Sequence, residues 1–228
     1  MFSAINNLYF HSQPLVDSDL QSMCEGGNVL EHDERGVKVI QLTSGDILKI
    51  FRARNRLSGT RIYSHARRFC RNAFRLERLS IPTVKIKALF HLELAGHTAV
   101  LYSPLAGDSI RDMVQKDIKR IQQTAGTFGA FLATLHTKGI HFHSLHTGNV
   151  LLLPNNKFGL IDISDMTIYA WPLICNTRLR SFKRLYKYQS DIQALGVLYW
   201  RDMLEAYFSA SLCGSACKKK LLSISPFK

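Results

Sequence analysis

The sequence predicts an α+β protein of two lobes, and three observations carry that expectation. Residues 28–51, NVLEHDERGVKVIQLTSGDILKIF, alternate apolar and polar positions and are punctuated by Gly36 and Gly45, the pattern of a two- or three-stranded antiparallel meander. Pro104 and Gly107 then break the chain. Beyond them the apolar residues recur mostly at helical spacing. The chain therefore reads as a strand-rich front lobe over 1–107, a hinge near 103–107 and a helical back lobe over 108–228. Strands first and helices after is an α+β plan.

The elements follow in order. After the meander, 61–79 (RIYSHARRFCRNAFRLERL) sets Ile62, Ala66, Phe69, Ala73, Leu76 and Leu79 on one face of the front lobe's single helix. Ile81-Pro82 ends it, because a residue before proline is pushed away from helical angles. Strands follow at 83–90 and 97–102. Residues 109–138 read as two helices, the second being TAGTFGAFLATLHTKG. The run Val150 to Leu153 and the segment Phe158 to Ile161 read as two strands paired across the turn Pro154-Asn155-Asn156. From about residue 178 the chain is helical again, RLRSFKRLYKYQ and then DIQALGVLYWRDMLEAYF.

Composition narrows the classes. With 46% hydrophobic residues the chain is globular and not disordered. No apolar run approaches the roughly 18 residues that span a bilayer. The first twenty residues lack a basic start followed by an apolar stretch. The expectation is a cytoplasmic protein, with peripheral contact at the inner membrane face. Five scattered cysteines suit free thiols in a reducing compartment better than a disulfide framework. Cys213 and Cys217 can share a helix face, but two thiolates without histidine partners make a poor zinc site.

The formal charge of +13, from 30 Lys+Arg against 17 Asp+Glu, calls for an anionic partner: nucleic acid, phospholipid or a phosphorylated small molecule. One cluster runs from Arg52 to Lys87, opposed only by Glu77, with Arg61, Arg68, Arg71, Arg75 and Arg78 forming a stripe on the helix. A second holds Arg178, Arg180, Lys183, Arg184 and Lys187. Such surfaces suit bidentate phosphate recognition. Nucleic acid ranks last, since no RNA-binding signature is present and Phe69 and Phe74 fall on or near the apolar face.

The residues with most chemistry lie in 139–165, GIHFHSLHTGNVLLLPNNKFGLIDISD. The hairpin expected there sets Asn149 at the start of one strand and Asp162 at the end of the next, both pointing into the same space. An amide oxygen and a carboxylate suit a hard cation such as Mg²⁺. Lys49, between Leu48 and Ile50 on a strand, faces opposite to both and suits phosphate oxygens. Alone it would more often be a solvated surface lysine.

This stretch resembles the catalytic and metal-binding loops of protein-kinase-like enzymes, above all a bacterial type whose loop reads H-G-D-L-H-P-G-N. Leu145, His146, Gly148 and Asn149 match that loop as written, and the Asn149 to Asp162 interval matches the family's metal-binding pair. Lys49 in ILKIF resembles the lysine of V-A-I-K. The segment SDIQALGVLYWRDML, with Asp191 and Gly196, resembles the helix that anchors the catalytic loop. The resemblance spans about residues 28–208 and is nearest the lipopolysaccharide core (Kdo-type) kinases, the toluene-tolerance-like group.

The resemblance implies Mg²⁺–ATP bound between the lobes, Lys49 on the α/β-phosphates, and Asn149 and Asp162 on the metal. The implied acceptor is a hydroxyl of a phosphorylated envelope sugar, with an acidic lipid headgroup as the other anionic partner. Departures accompany it. Ser144 takes the place of the catalytic aspartate, marking where the substrate hydroxyl would sit, with Phe142 and His143 before it. Only Gly36 remains of a glycine-rich loop, Asn72 replaces the lysine's glutamate partner, and Ile163-Ser164 follow Asp162. His146, whose structural reading is a loop brace, is together with His143 or Asp165 a replacement base. The alternative is an inactive pseudokinase that regulates or scaffolds envelope assembly.

Overall fold

The computed structural model describes residues 11–52, 65–94 and 96–226, and every count below refers to those residues. The chain divides into two compact units, Met1–Leu105 and Ala106–Lys228.

The first unit carries a mixed six-stranded sheet. Its strands are β1 (Gln13–Leu15), β2 (Asn28–Asp33), β3 (Gly36–Gln41), β4 (Ile47–Phe51), β5 (Lys85–Leu92) and β6 (Thr98–Ser103), in the spatial order β1-β5-β6-β4-β3-β2. The meander over 28–51 is present as three strands, and only β1 joins in parallel. Helix α1 (Asp17–Cys24) and helix α2 (His65–Arg78) belong to the same unit. The sequence pointed to one helix here, so α1 is an addition. It has no fully buried residue, but Leu20, Met23 and Cys24 lie against a core of Leu15, Ile40, Leu42, Leu48, Phe90, Leu92 and Ala99.

Side chains alternate across a strand, so β4 feeds both faces. Leu48 and Ile50 join the core beneath α1, while Phe51 meets Phe69 of α2 at 5.8 Å between ring centres. Arg61 of the expected basic stripe lies outside the described residues. Of the rest of the stripe, Arg78 is exposed and Arg68, Arg71 and Arg75 are half-buried.

The second unit is mainly helical. It contains β7 (Asp108–Ser109), α3 (Ile110–Lys116), α4 (Ile118–Gln122), α5 (Ala125–Thr137), β8 (Ile140–Phe142), β9 (Val150–Leu152), β10 (Phe158–Leu160), β11 (Met166–Ile168), α6 (Cys175–Leu185), α7 (Gln189–Ala210) and α8 (Ser215–Ser223). Three helices fill 110–137 where two were expected. The carboxylate of Asp117 accepts the Arg120 N–H at 3.0 Å and starts a new helix there. The break at Gly107 has a steric cause as well: at φ +146° an added Cβ would lie 2.5 Å from the Leu152 carbonyl oxygen. Strands β9 and β10 pair as expected, Leu160 opposite Val150. Helix α7 is broken at Gly196, whose φ of 79° and ψ of 163° are not helical. The Trp200 indole N–H donates to the Ile192 carbonyl across that break at 3.2 Å.

Three expectations are corrected. Cys175 and Cys217 form a disulfide where free thiols were expected, because α6 and α8 come together with these Cα atoms 5.7 Å apart. Cys213 precedes α8, so it shares no helix face with Cys217. Arg178, assigned above to a surface cluster, is 4% exposed. Its guanidinium donates to the Leu173 carbonyl at 2.7 Å and to the Tyr207 hydroxyl at 2.9 Å. No helix among the described residues is long and apolar enough to cross a membrane.

The Arg178 contact sets the state of a buried histidine. Arginine only donates, so Tyr207 accepts from it and turns its own O–H to His136 Nδ1, 2.9 Å away. Burial, and after it the Arg178 charge, pushes the His136 pKa down to about 3. The folded value lies below the unfolded one of about 6.5, so the unfolded chain takes up the proton first. Stability is therefore full above about pH 6.5 and is lost as pH falls toward about 3. Between pH 7 and pH 5 the His136 contribution to that loss is about 2 kcal/mol. Chemical denaturation at the two pH values checks it: His136→Gln should show a smaller pH effect than the parent chain by about that amount.

Candidate functional site

Two antiparallel pairs build the site in the second unit. In one, β8 pairs with β11, Phe142 opposite Met166 and Ile140 opposite Ile168. The residues just past its open end are His143 and Asp165, and the His143 N–H continues the ladder onto the Asp165 carbonyl at 3.0 Å. In the other, β9 leaves a 3₁₀ turn at Thr147–Asn149 and β10 returns beside it. There the Ile161 N–H donates to the Asn149 carbonyl at 3.1 Å. The chain between the two pairs, 143–149, is the loop singled out in the sequence.

That loop is braced from three directions. The His146 side chain starts the 3₁₀ turn, its Nδ1 accepting the Gly148 N–H at 3.1 Å. The same ring sits edge-on to Tyr188 at 5.3 Å. Thr147 donates its hydroxyl to the Asp191 carboxylate, which also receives Arg111 through Nε at 2.9 Å and Nη2 at 2.7 Å. Burial by itself would raise the Asp191 carboxyl, but the bonds from Arg111 and Thr147 outweigh it and hold the group below the ordinary carboxylate range. Burial also lowers the His146 pKa, with the Arg111 charge adding to it. The loop-brace reading of His146 has a direct geometric counterpart.

The loop opens on a cavity of about 260 Å³, lined among others by Ser144, His146, Asn149, Asp162, Asp165 and Arg184. Four of the five residues expected to carry the chemistry (Ser144, His146, Asn149 and Asp162) thus line one space. Asn149 Nδ2 donates to the Ser144 carbonyl at 3.0 Å, which leaves Oδ1 as the atom able to ligate. Asp162 lies just past β10 with φ at +50°, a left-handed conformation uncommon outside glycine. Ser144 Oγ donates to Asp165 Oδ2 at 3.2 Å. Arg184 and Lys187 bring positive charge to the same walls, with Tyr188 between Lys187 and Arg111 in cation–π contact at 5.5 and 5.0 Å.

No family model matches the chain, and no curated protein matches its sequence.

The donor set itself tests whether a divalent cation fits. Asn149 Oδ1 and the Asp162 carboxylate are hard oxygen donors on one cavity wall, which is what Mg²⁺ takes. The described residues contain no cluster of three or more His, Cys, Asp or Glu placed to hold a metal ion. A two-ligand set of this kind fits an ion that keeps its waters and arrives with phosphate oxygens.

Lys49 belongs to the first unit. It is 8% exposed on β4, opposite Val39 of β3 and Val100 of β6. Its Nζ lies 5.6 Å from the Phe51 ring centre and 5.8 Å from that of Phe69. It is therefore not the solvated surface lysine that an isolated reading would favour. Asn72, one turn along α2 from Phe69, is 1% exposed. Sequence reasoning gave Asp165 only a passing role and ranked no residue of 184–188 as a site residue. The available signal was the basic cluster from Arg178 to Lys187, of which Arg184 and Lys187 reach the cavity.

Proposed function

We propose that this protein is kinase-like, binding Mg²⁺–ATP and phosphorylating a hydroxyl of a phosphorylated lipopolysaccharide core sugar. The observation that carries the reading is the convergence of Asn149 and Asp162 on one cavity with Arg184 and Lys187. Phosphoryl transfer depends on positioning and on neutralising charge, with little covalent work for the protein. Each element needed is present as a chemical type: oxygen ligands, cations and a buried strand lysine.

In this reading Asn149 Oδ1 and the Asp162 carboxylate hold Mg²⁺, which spreads and neutralises the charge of the phosphates. Lys49 pairs with the α/β-phosphates, and its place against Phe51 and Phe69 restricts where its ammonium can go. The Asp191, Arg111 and Thr147 network fixes the loop that bears Asn149. Arg184 and Lys187 suit an acceptor that already carries phosphate, with Arg184 able to bind two of its oxygens at once. A three-stranded meander with a lysine-bearing strand and a helix, followed by a helical unit with a braced loop, supports the kinase-like assignment of the fold.

A second reading, a pseudokinase that binds nucleotide as a switch in envelope assembly, is favoured by Ser144 at the aspartate position. Both readings require the nucleotide. Thermal unfolding with ATP, with and without Mg²⁺, tests that requirement directly. At 100 times the dissociation constant the ligand should add about 2.7 kcal/mol of stability. For a chain of this size that is a rise of roughly 5–10 °C. No shift at millimolar Mg²⁺–ATP would sink both.

A further inference from the structure

Resting on the nucleotide-binding reading above, we propose that Asp165 supplies the proton-accepting carboxylate that the loop itself lacks, held in place by Ser144. The placement follows from strand register. Because Phe142 pairs with Met166, the ends of β8 and β11 lie side by side, and Asp165 arrives at residues 143 and 144. Its backbone is fixed by the His143 N–H at 3.0 Å, and its Oδ2 by the Ser144 hydroxyl at 3.2 Å.

The carboxylate opens on the same cavity as Asn149 and Asp162, and it is solvent-exposed. It enters no ion pair among the described residues, so Oδ1 is available to take a proton. Ser144 is then a positioning residue, tied on its other side to Asn149 through its carbonyl at 3.0 Å.

The rival bases are otherwise engaged. His143 Nε2 is bonded to Thr167 Oγ1 at 3.0 Å, and its ring lies tilted against that of His141 with the ring centres 4.1 Å apart. His146 spends Nδ1 on the Gly148 N–H, and burial makes its ring less basic.

The acceptor hydroxyl oxygen bonds to the γ-phosphorus of the nucleoside triphosphate while the bond from that phosphorus to the β-bridging oxygen breaks. The electron pair of that bond leaves with the nucleoside diphosphate. The acceptor's proton goes to Asp165 and from there to solvent.

The probe is Mg²⁺–ATP with water as acceptor, read both as thermal stabilisation and as phosphate release, for the parent chain, Asp165→Asn and Ser144→Ala. Asp165→Asn is close to isosteric and should keep the full Mg²⁺–ATP stabilisation while phosphate release falls roughly 10²–10⁴-fold. Ser144→Ala should lower release by a smaller factor, and Ser144→Asp placed in the Asp165→Asn chain should restore part of it. Release by Asp165→Asn within about threefold of the parent would overturn the assignment. A parent chain that is stabilised but releases no phosphate would overturn it as well, leaving nucleotide binding intact. A parent chain that is not stabilised at all removes the nucleotide reading and this assignment with it.

Discussion

If the protein binds Mg²⁺–ATP as proposed, replacing Asp162 by alanine is expected to abolish the resulting stabilisation, a loss of about 2.7 kcal/mol at 100 times the dissociation constant. Of the two oxygen ligands proposed, Asp162 alone carries charge, and it stands exposed on the cavity wall. Without Asp162 the neutral Asn149 oxygen is the one proposed protein ligand left, too little to hold a hydrated divalent cation. The backbone needs a control, because Asp162 sits at φ +50° and alanine there costs on the order of 1 kcal/mol in the unliganded protein. Asp162→Asn provides it, since asparagine tolerates the left-handed region while losing the charge. Both variants should melt near the parent without nucleotide and show no Mg²⁺-dependent rise with it. A full parental rise in either would mean that the cation is held elsewhere.

The largest effect on folding is expected from Gly129→Ala, about 3 kcal/mol or more of destabilisation. Glycine is a poor helix former, yet Gly129 lies inside α5. The reason is the approach of α7: an added Cβ would stand 2.1 Å from the Met203 carbonyl oxygen and 2.9 Å from the Tyr207 nitrogen. Both obstacles are backbone, so the helices would have to separate. Separation would loosen Phe128, Leu132, Met203 and Tyr207, all at most 1% exposed. Gly126, one turn earlier, is the internal control. Its added Cβ would meet only the Ala206 side chain, at 3.9 Å, so Gly126→Ala should lie within about 1 kcal/mol of the parent, on the stabilising side. Denaturant midpoints separate the two. Equal midpoints for Gly129→Ala and the parent would contradict the close crossing of α5 and α7.

Much of this was open to reading from residues alone. The alternation over 28–51 located β2, β3 and β4, because a strand between two polar turns leaves its period in the side chains. The apolar stripe of Phe69, Ala73 and Leu76 located α2, and the turn at Pro154 located the β9–β10 pair with Asn149 and Asp162 at its ends. These are local properties: each depends on neighbours within about seven residues along the chain. The same holds for Gly107, whose break was visible even though its steric cause, the Leu152 carbonyl, was not.

Other features depend on partners far along the chain, and only the tertiary structure decided them. Arg178 reads as one more surface cation until Leu173 and Tyr207 enclose it. Cys175 and Cys217 read as separate thiols until α6 meets α8. Helix α1 buries no residue fully, so its short sequence carried a weak signal. Asp165 reads as one of three candidate bases until the register of β8 on β11 brings it to Ser144. The sequence by itself determined the strand-rich front, the mainly helical back and the chemical types on the loop, since these are written in local spacing. Which cations reach the cavity, which carboxylate faces Ser144 and which glycine lets two helices touch were decided by tertiary packing. Those contacts join residues tens of positions apart, and no local period records them.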